Sequence, residues 1–327
     1  MVHRIGLVGL GAIAMKSHLP AIAGNADFAL IAAASLAGSV DGIPIYRDHR
    51  AMLAAHPEMT AVVICTPPRA RFAVAADVLA AGRHVMLEKP PAATVGGLDH
   101  LVRIAGRHGG LIHAAWHSQY NRAVERAAEL LSGRAIASLH IDWKEDVHKY
   151  HPQQSWIWQA GGFGVFDAGI NGLSILSRIL APLPFVVSAD LRIPADAAVP
   201  IAADVRFSDG SDAAMTGSFD WGWTAPDLRE VRIVLRDGHR IDLLASGGRL
   251  VVDGVAVIAT ARTEYADIYT HFDALLRAGE SRVDAAPLAL VADIFLVGQP
   301  HAVAAVMRST GNDAPSGQSS STPPHRG

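Results

Sequence analysis

The stretch Arg4-Ile5-Gly6-Leu7-Val8-Gly9-Leu10-Gly11-Ala12-Ile13-Ala14 decides the fold. Arg4 to Val8 is an apolar run of strand character, and Ala12 to Ala23 reads as a helix. Between them, Gly9 to Ala14 fits the spacing G-x-G-x-x-G/A. Each small residue has a mechanical reason. Gly9 permits the tight turn, Gly11 lets backbone approach a pyrophosphate, and Ala14 allows close helix–strand packing. The helix N-terminus then faces the phosphates. A glycine turn alone is weak evidence; flanked by a strand and a helix, it is a dinucleotide-binding turn.

Working outward, the first third repeats the same alternation. Strands are expected at Phe28 to Ala34, Ala61 to Cys65, His84 to Leu87 and Leu111 to Trp116. Helices are expected at Arg71 to Ala81 and Thr94 to Arg107. Strands alternating with helices imply βαβ units and a parallel sheet, buried on both faces and hence rich in Val, Ile, Leu and Ala. Residues 1–119 are therefore expected to form a Rossmann domain, a doubly wound parallel sheet.

Past residue 120 the pattern changes. A helix, Arg122 to Ser132, leads to a strand, Ser138 to Asp146. Further strands are expected at Phe185 to Ile193, Ile201 to Phe207, Ala213 to Asp220, Val231 to Leu235 and Arg249 to Val257. Turn pairs such as Asp209-Gly210, Asp237-Gly238, Gly247-Gly248 and Asp253-Gly254 separate them. Residues 120–308 are thus expected to form an α+β domain on an open, mainly antiparallel sheet. The tail 309–327, rich in Ser, Pro and Gly, is expected to be disordered.

Composition narrows the function classes. The 327 residues are 50% hydrophobic, with 28 basic and 31 acidic side chains and a formal charge of −3. No basic block points to nucleic acid, and no apolar run reaches the roughly 18 residues of a membrane span. No signal peptide precedes the first strand, so a soluble cytoplasmic protein is expected. The single cysteine, Cys65, excludes an internal disulfide and reads as a buried, inert thiol. A broad antiparallel sheet commonly offers a dimer face, so a homodimer stays open beside a monomer.

The second strand bears on the cofactor. An NAD-specific site usually has Asp or Glu at its end. Here the strand ends Ala34-Ser35-Leu36-Ala37, with no carboxylate until Asp41 and no arginine directly after Ser35. Nothing repels a 2′-phosphate, and Ser35 is placed to hydrogen-bond one, so NADP and NAD are both expected to serve. The residues expected along the cofactor are Gly9, Gly11, Ala12, Ile13, Ser35, Leu36, Thr66, Pro67, Glu88 and Lys89.

Chemistry enters with Glu88-Lys89-Pro90, at the carboxyl end of a strand, where open α/β sheets bind ligands. Pro90-Pro91 stiffens the chain and keeps Lys89 out of helical geometry. Lys89 is either a surface residue or a group aimed into a cleft. With the glycine turn, this triplet resembles the glucose–fructose oxidoreductase / inositol dehydrogenase family. The resemblance implies that Lys89 lies beside the nicotinamide and contacts the reacting oxygen.

Downstream stretches resemble one branch of that family more closely. They are Asp142-Trp143-Lys144-Glu145-Asp146-Val147, His151-Pro152, Trp156-Ile157-Trp158, Gly164-Val165-Phe166-Asp167-Ala168-Gly169-Ile170-Asn171 and Pro287-Leu288-Ala289-Leu290-Val291-Ala292-Asp293. The branch comprises bacterial L-arabinose and D-galactose 1-dehydrogenases. It implies oxidation of an aldose at C1 to the aldonolactone. A polyol dehydrogenase of the inositol type and a non-catalytic sugar or nucleotide sensor are the alternatives.

The residues read the same way by themselves. Leu139, Ile141, Trp143 and Glu145 share one face of their strand, so Glu145 is a carboxylate on an apolar face and needs a partner. It is a solvent-facing strand end or a sugar-hydroxyl acceptor. Asp167 and Asn171 share a helix face near its N-terminus, where an ionised acid is favoured. The family pattern usually has histidine where Asn171 stands. That leaves Asp167, beside Lys89, as the expected proton acceptor; in the aldose branch asparagine is the usual residue. His113 and His117 lie about 13 Å apart if on one strand and cannot share a metal ion. No metal site is expected. His113 reads as a core residue, while His117 ends its strand at the cleft and is a candidate sugar ligand. Trp156 suits a pyranose face, though core packing explains it equally well.

Overall fold

The computed structural model describes residues 2–151, 154–259 and 263–306. Pro152 and the tail read as disordered, 309–327, lie outside the described residues. Strands β1 (His3–Val8), β2 (Phe28–Ala34), β3 (Ile45–Tyr46), β4 (Ala61–Ile64), β5 (His84–Glu88) and β6 (Ile112–Ala115) form one parallel sheet, ordered β3-β2-β1-β4-β5-β6. Its strands are buried because helices cover both faces. The order reverses between β1 and β4, so the loops at their carboxyl ends diverge and leave a crevice. The glycine turn and Thr66 lie at that point.

The helix expected over Ala12 to Ala23 forms, with a π-turn, Ala14–His18, that runs directly into α1 (Leu19–Ala23). Pro20, just past that turn, has no N–H to donate back along the helix, yet the helix runs through it to Ala23. Helices α2 (His49–Ala55), α3 (Pro68–Ala80) and α4 (Val95–His108) complete the layers. Thr94 caps α4 with its hydroxyl.

After α5 (Arg122–Leu131) comes a mixed sheet of nine strands: β7 (Ile136–Lys144), β8 (Phe185–Pro194), β9 (Ala202–Ser208), β10 (Ala214–Asp220), β11 (Leu228–Leu235), β12 (Arg240–Leu244), β13 (Arg249–Val252), β14 (Val255–Ala259) and β15 (Gly298–Val303). It is ordered β14-β13-β12-β11-β7-β10-β9-β8-β15. Only the β7–β10 and β8–β15 pairs run parallel. The strand expected over Arg249 to Val257 is two strands, because Asp253 and Gly254 adopt φ of 50° and 80° and reverse the chain. Strands β3, β12 and β15 were not expected; β3 is a two-residue piece and β15 continues an apolar helix with no turn signal.

The short helix α6 (Val147–Tyr150) follows β7. Helices α7 (Phe166–Ile179) and α9 (Ala286–Val297) lie with α5 on one face of the nine-stranded sheet. Gly169 and Gly172 let α7 approach closely: a Cβ on either would stand 2.6 Å from Phe219 or 2.9 Å from Trp143. Helix α8 (Glu264–Ala278) packs instead on the first sheet. Its Ile268, Tyr269, Phe272 and Leu275 bury against Ile5, Leu7 and Phe28, each worth about 1.5–3 kcal/mol. Among the described residues no helix is long and apolar enough to cross a membrane.

Candidate active site

The glycine turn borders a groove of about 490 Å³. Gly9 sits at φ 94°, and a Cβ there would meet Thr66 N at 3.1 Å, so only glycine fits. A Cβ on Gly11 would meet nothing within 4 Å, so this backbone opens onto free space. That is the cradle a dinucleotide phosphate needs. Ser35 Oγ accepts from Leu10 N at 3.2 Å and donates to Ala37 O at 2.5 Å, so its hydroxyl braces the turn. Leu36, 78% exposed, and Arg47 also line the groove. Arg47 comes from beyond β3.

A second cavity of about 430 Å³ adjoins it, sharing Gly11, Cys65, Thr66 and Pro67. Ala12, Ile13, Glu88, Lys89, Trp156 and Asp167 line it, as do Lys16, His151 and Arg71. Cys65 lies just past β4 and is half-buried on the shared wall, not in the core as expected, because the strand ends at Ile64.

Lys89 and Asp167 meet in this cavity. Lys89 Nζ donates to the main-chain oxygen of Asp167 at 2.7 Å and lies 3.5 Å from its Oδ2. Asp167 is in the first turn of α7 and buried. His151 Nε2 approaches the same Oδ2 at 3.7 Å. The carboxylate thus has a cation on one side and an imidazole on the other.

The frame behind Lys89 is buried at Glu88, His18 and Arg71 and half-buried at Tyr265. Glu88 Oε2 accepts from Lys89 N at 2.8 Å, and its Oε1 accepts from Tyr265 Oη at 2.5 Å and from His18 Nε2 at 3.2 Å. Burial alone would raise the Glu88 pKa. The hydrogen bond and charge of His18, the charge of His117 and the Tyr265 hydroxyl outweigh it and hold the value at about 2. Burial also works against a charged His18, but Cys65, Tyr269 and Glu88 around it raise its pKa well above the ordinary value. Burial and then Glu88 push the Tyr265 hydroxyl up, so it remains a donor. Arg71, buried inside α3, donates to the carbonyls of Thr66, Glu88 and Pro90 and so ties the ends of β4 and β5 together.

Other expected site residues stand apart from the cavity wall. Asn171 is buried one turn after Asp167, and its Oδ1 has no hydrogen-bond partner among the described residues. His117 lies on a 3₁₀ turn, His117–Tyr120, and stacks on Tyr265 with centroids 5.8 Å apart. Glu145, just past β7, finds its partner within the protein. Its Oε2 accepts from Arg229 Nε at 2.7 Å and its Oε1 from Trp221 Nε1 at 3.3 Å. His113 is buried between Tyr120 and the Arg282 carbonyl.

His18, Arg71 and Tyr265 escape sequence reasoning. Each lies in a helix whose pattern reads as ordinary, and each partner is far along the chain. A buried-facing arginine three residues into α3 was the one legible signal.

A description of an oxidoreductase family with an NAD-binding Rossmann fold matches residues 3–115. The galactose 1-dehydrogenase of Pseudomonas fluorescens is 41% identical over 298 residues, which is 90% of this chain and 95% of that protein. The chain belongs to the glucose–fructose oxidoreductase / inositol dehydrogenase family. The crystal structure of a D-galactose-1-dehydrogenase from Rhizobium etli matches this oxidoreductase with TM-score 0.89 and 42% identity, over 94% of this chain and 98% of that one. A 3-ketoreductase from Actinomadura kijaniata, solved with NADP, shares the fold at TM-score 0.81 and 19% identity, over 93% of this chain and all of that one, 100%. The two adjoining cavities are therefore those of an NAD(P)-binding oxidoreductase.

Proposed function

We propose that this oxidoreductase removes hydride from C1 of a cyclic aldose of the galactose or L-arabinose type and releases the aldonolactone. The carrying observation is the meeting of Lys89 and Asp167 in the cavity that adjoins the glycine-turn groove. Residues 1–119 would hold the cofactor and 120–308 most of the sugar. Gly9, Gly11, Ala12, Ile13, Leu36, Thr66 and Pro67 fit the dinucleotide. NAD(P)⁺, when bound, supplies the hydride acceptor.

In this reading the Asp167 carboxylate takes the proton of the C1 hydroxyl. The Lys89 ammonium faces the same oxygen and stabilises the negative charge that develops there. Its hydrogen bond to the Asp167 carbonyl keeps Nζ in place. His151 stands ready to pass the proton from Asp167 towards solvent. Trp156 offers an apolar face to the pyranose, while Asn171, with its buried Oδ1 lacking a hydrogen-bond partner among the described residues, acts from behind the wall. His117 and Glu145 act from behind the wall. C1 loses one hydride and O1 one proton, so the products are lactone, NAD(P)H and H⁺.

The similarity to two galactose 1-dehydrogenases supports the aldose class. L-Arabinose shares the galactose configuration at C2 to C4. Arg47 in the groove supports acceptance of NADP beside NAD. Initial rates with D-galactose, L-arabinose, D-xylose and myo-inositol, each with NAD and NADP, test the reading. Turnover of the inositol alone would replace it with a polyol dehydrogenase. Binding of sugar and cofactor with no turnover would make the protein a sensor.

A further inference from the structure

A third cavity, of about 370 Å³, opens where α7 and α8 meet the segment 119–125. Its size is that of a small-molecule site. It lies at the opposite end of α7 from Asp167, about 16 Å away by helix rise. Arg178 comes from the last turn of α7, Arg122 from the start of α5, and Arg282 from just beyond α8. None of these arginines pairs with a carboxylate among the described residues. Arg282 NH1 instead lies 3.5 Å from His271 Nε2. Its backbone is fixed beside β6, donating to Ile112 O and accepting from Ala114 N. The guanidinium is thus presented from a rigid seat.

The charge balance inside the cavity is positive. After burial, the charges of Arg282 and Arg178 lower the pKa of His271, so it is neutral near pH 7 and competes for no anion. Glu125, from α5, and Asp267, from α8, also line the cavity. Guanidiniums bind phosphate through paired, charge-assisted hydrogen bonds. Carboxylates accept hydroxyl donors and repel a bare polyanion. A neutral sugar would leave the arginines unused, and a compact anion would meet the two acids. A ligand with one phosphate and several hydroxyls satisfies both sets.

We propose that this cavity binds a phosphorylated polyhydroxy metabolite of the sugar-phosphate class. The arginines hold its phosphate, and Glu125 and Asp267 its hydroxyls. The site is separate from the dinucleotide groove and does not depend on the reaction assigned above. A ligand here joins α7, which carries Asp167, to α8, which carries Tyr265 against Glu88. Occupancy is therefore expected to stiffen the frame of Lys89.

Titration calorimetry of the full chain, saturated with NADPH to fill the groove, tests the site with glucose 6-phosphate as probe. Saturable binding is expected. Arg178→Ala and Arg282→Ala should each weaken it roughly tenfold or more. Both side chains are exposed, so the variants should keep the parent melting temperature. Arg126→Ala, on the outer face of α5, should change nothing. Inorganic phosphate should bind more weakly, and glucose should give no heat that depends on either arginine. The proposal falls if glucose 6-phosphate does not saturate, if its binding survives both substitutions, or if inorganic phosphate binds equally well.

Discussion

Lys89 Nζ donates to the main-chain oxygen of Asp167 at 2.7 Å and stands 3.5 Å from the Oδ2 of the same residue. The ammonium is therefore aimed by a backbone group, while its charge still faces the carboxylate. On the mechanism proposed above, substituting Lys89 would remove the stabiliser of O1, and substituting Asp167 would remove the proton acceptor while leaving the backbone contact in place. Lys89→Ala and Asp167→Ala are each expected to lower kcat by about a hundredfold or more. Steady-state rates with D-galactose check this, and near-normal turnover in either variant would remove that residue from the mechanism.

Tyr265 acts at one remove. Its hydroxyl bonds Glu88, whose other oxygen holds the Lys89 N–H. Tyr265→Phe leaves the ring stack on His117 and deletes one bond to a buried charge, at a cost of about 2 kcal/mol. The melting temperature should fall, and kcat should drop roughly tenfold or less with KM nearly unchanged. A change in KM alone would show that Tyr265 contacts substrate instead.

The Glu145–Arg229 pair is the next target. Its side chains are 6% and 18% exposed. Glu145→Ala leaves Arg229 without its main partner, and breaking a buried pair costs about 3–5 kcal/mol. The partial exposure of Arg229 places this case at the lower end. Thermal unfolding should show the loss. An unchanged melting temperature with a raised KM would make Glu145 a sugar ligand.

Arg47 lines the groove beside Leu36, and no ion pair ties it up among the described residues. Arg47→Ala is expected to reduce kcat/KM with NADP roughly tenfold, about 1.4 kcal/mol, and to leave NAD nearly unaffected. Equal losses with both cofactors would place the guanidinium elsewhere than at a 2′-phosphate.

Acid stability depends on His113. Burial first, then the charge that His271 takes up in acid, lowers its pKa to about 3. The unfolded chain takes up this proton below about pH 6.5, while the folded chain stays neutral down to about 3. The contribution is complete above pH 6.5 and is lost as pH falls through that window, at about 1.4 kcal/mol per unit. Denaturation at pH 7, 6 and 5 should show this slope on top of the carboxylate terms. His113→Gln should flatten it, and an unchanged slope would rule the residue out.

The architecture was legible because it rests on local rules. The glycine spacing, the alternation of strands with helices, and the turn pairs act over a few residues each, and they sufficed for a parallel sheet followed by a mainly antiparallel one. Where a rule was read too coarsely the outcome slipped. Asp253-Gly254 was noted as a turn yet run through as strand. Lys89 and Asp167 were nameable because each follows a recognisable local signal.

Their meeting was not. They are 78 residues apart in sequence, and Gly169 and Gly172 let α7 lie close enough on its sheet to bring them together. The same holds for Glu145 and Arg229, 84 residues apart, and for Tyr265 on Glu88, 177 apart. A side chain's type is a property of the sequence. Its partner is set by the path of the whole chain, because a buried charge takes whichever counter-group packing delivers. The sequence by itself determined the sheets and the kinds of chemistry available; the tertiary structure alone decided which charges stand behind Lys89, which one answers Glu145, and that Arg47 reaches the groove at the glycine turn.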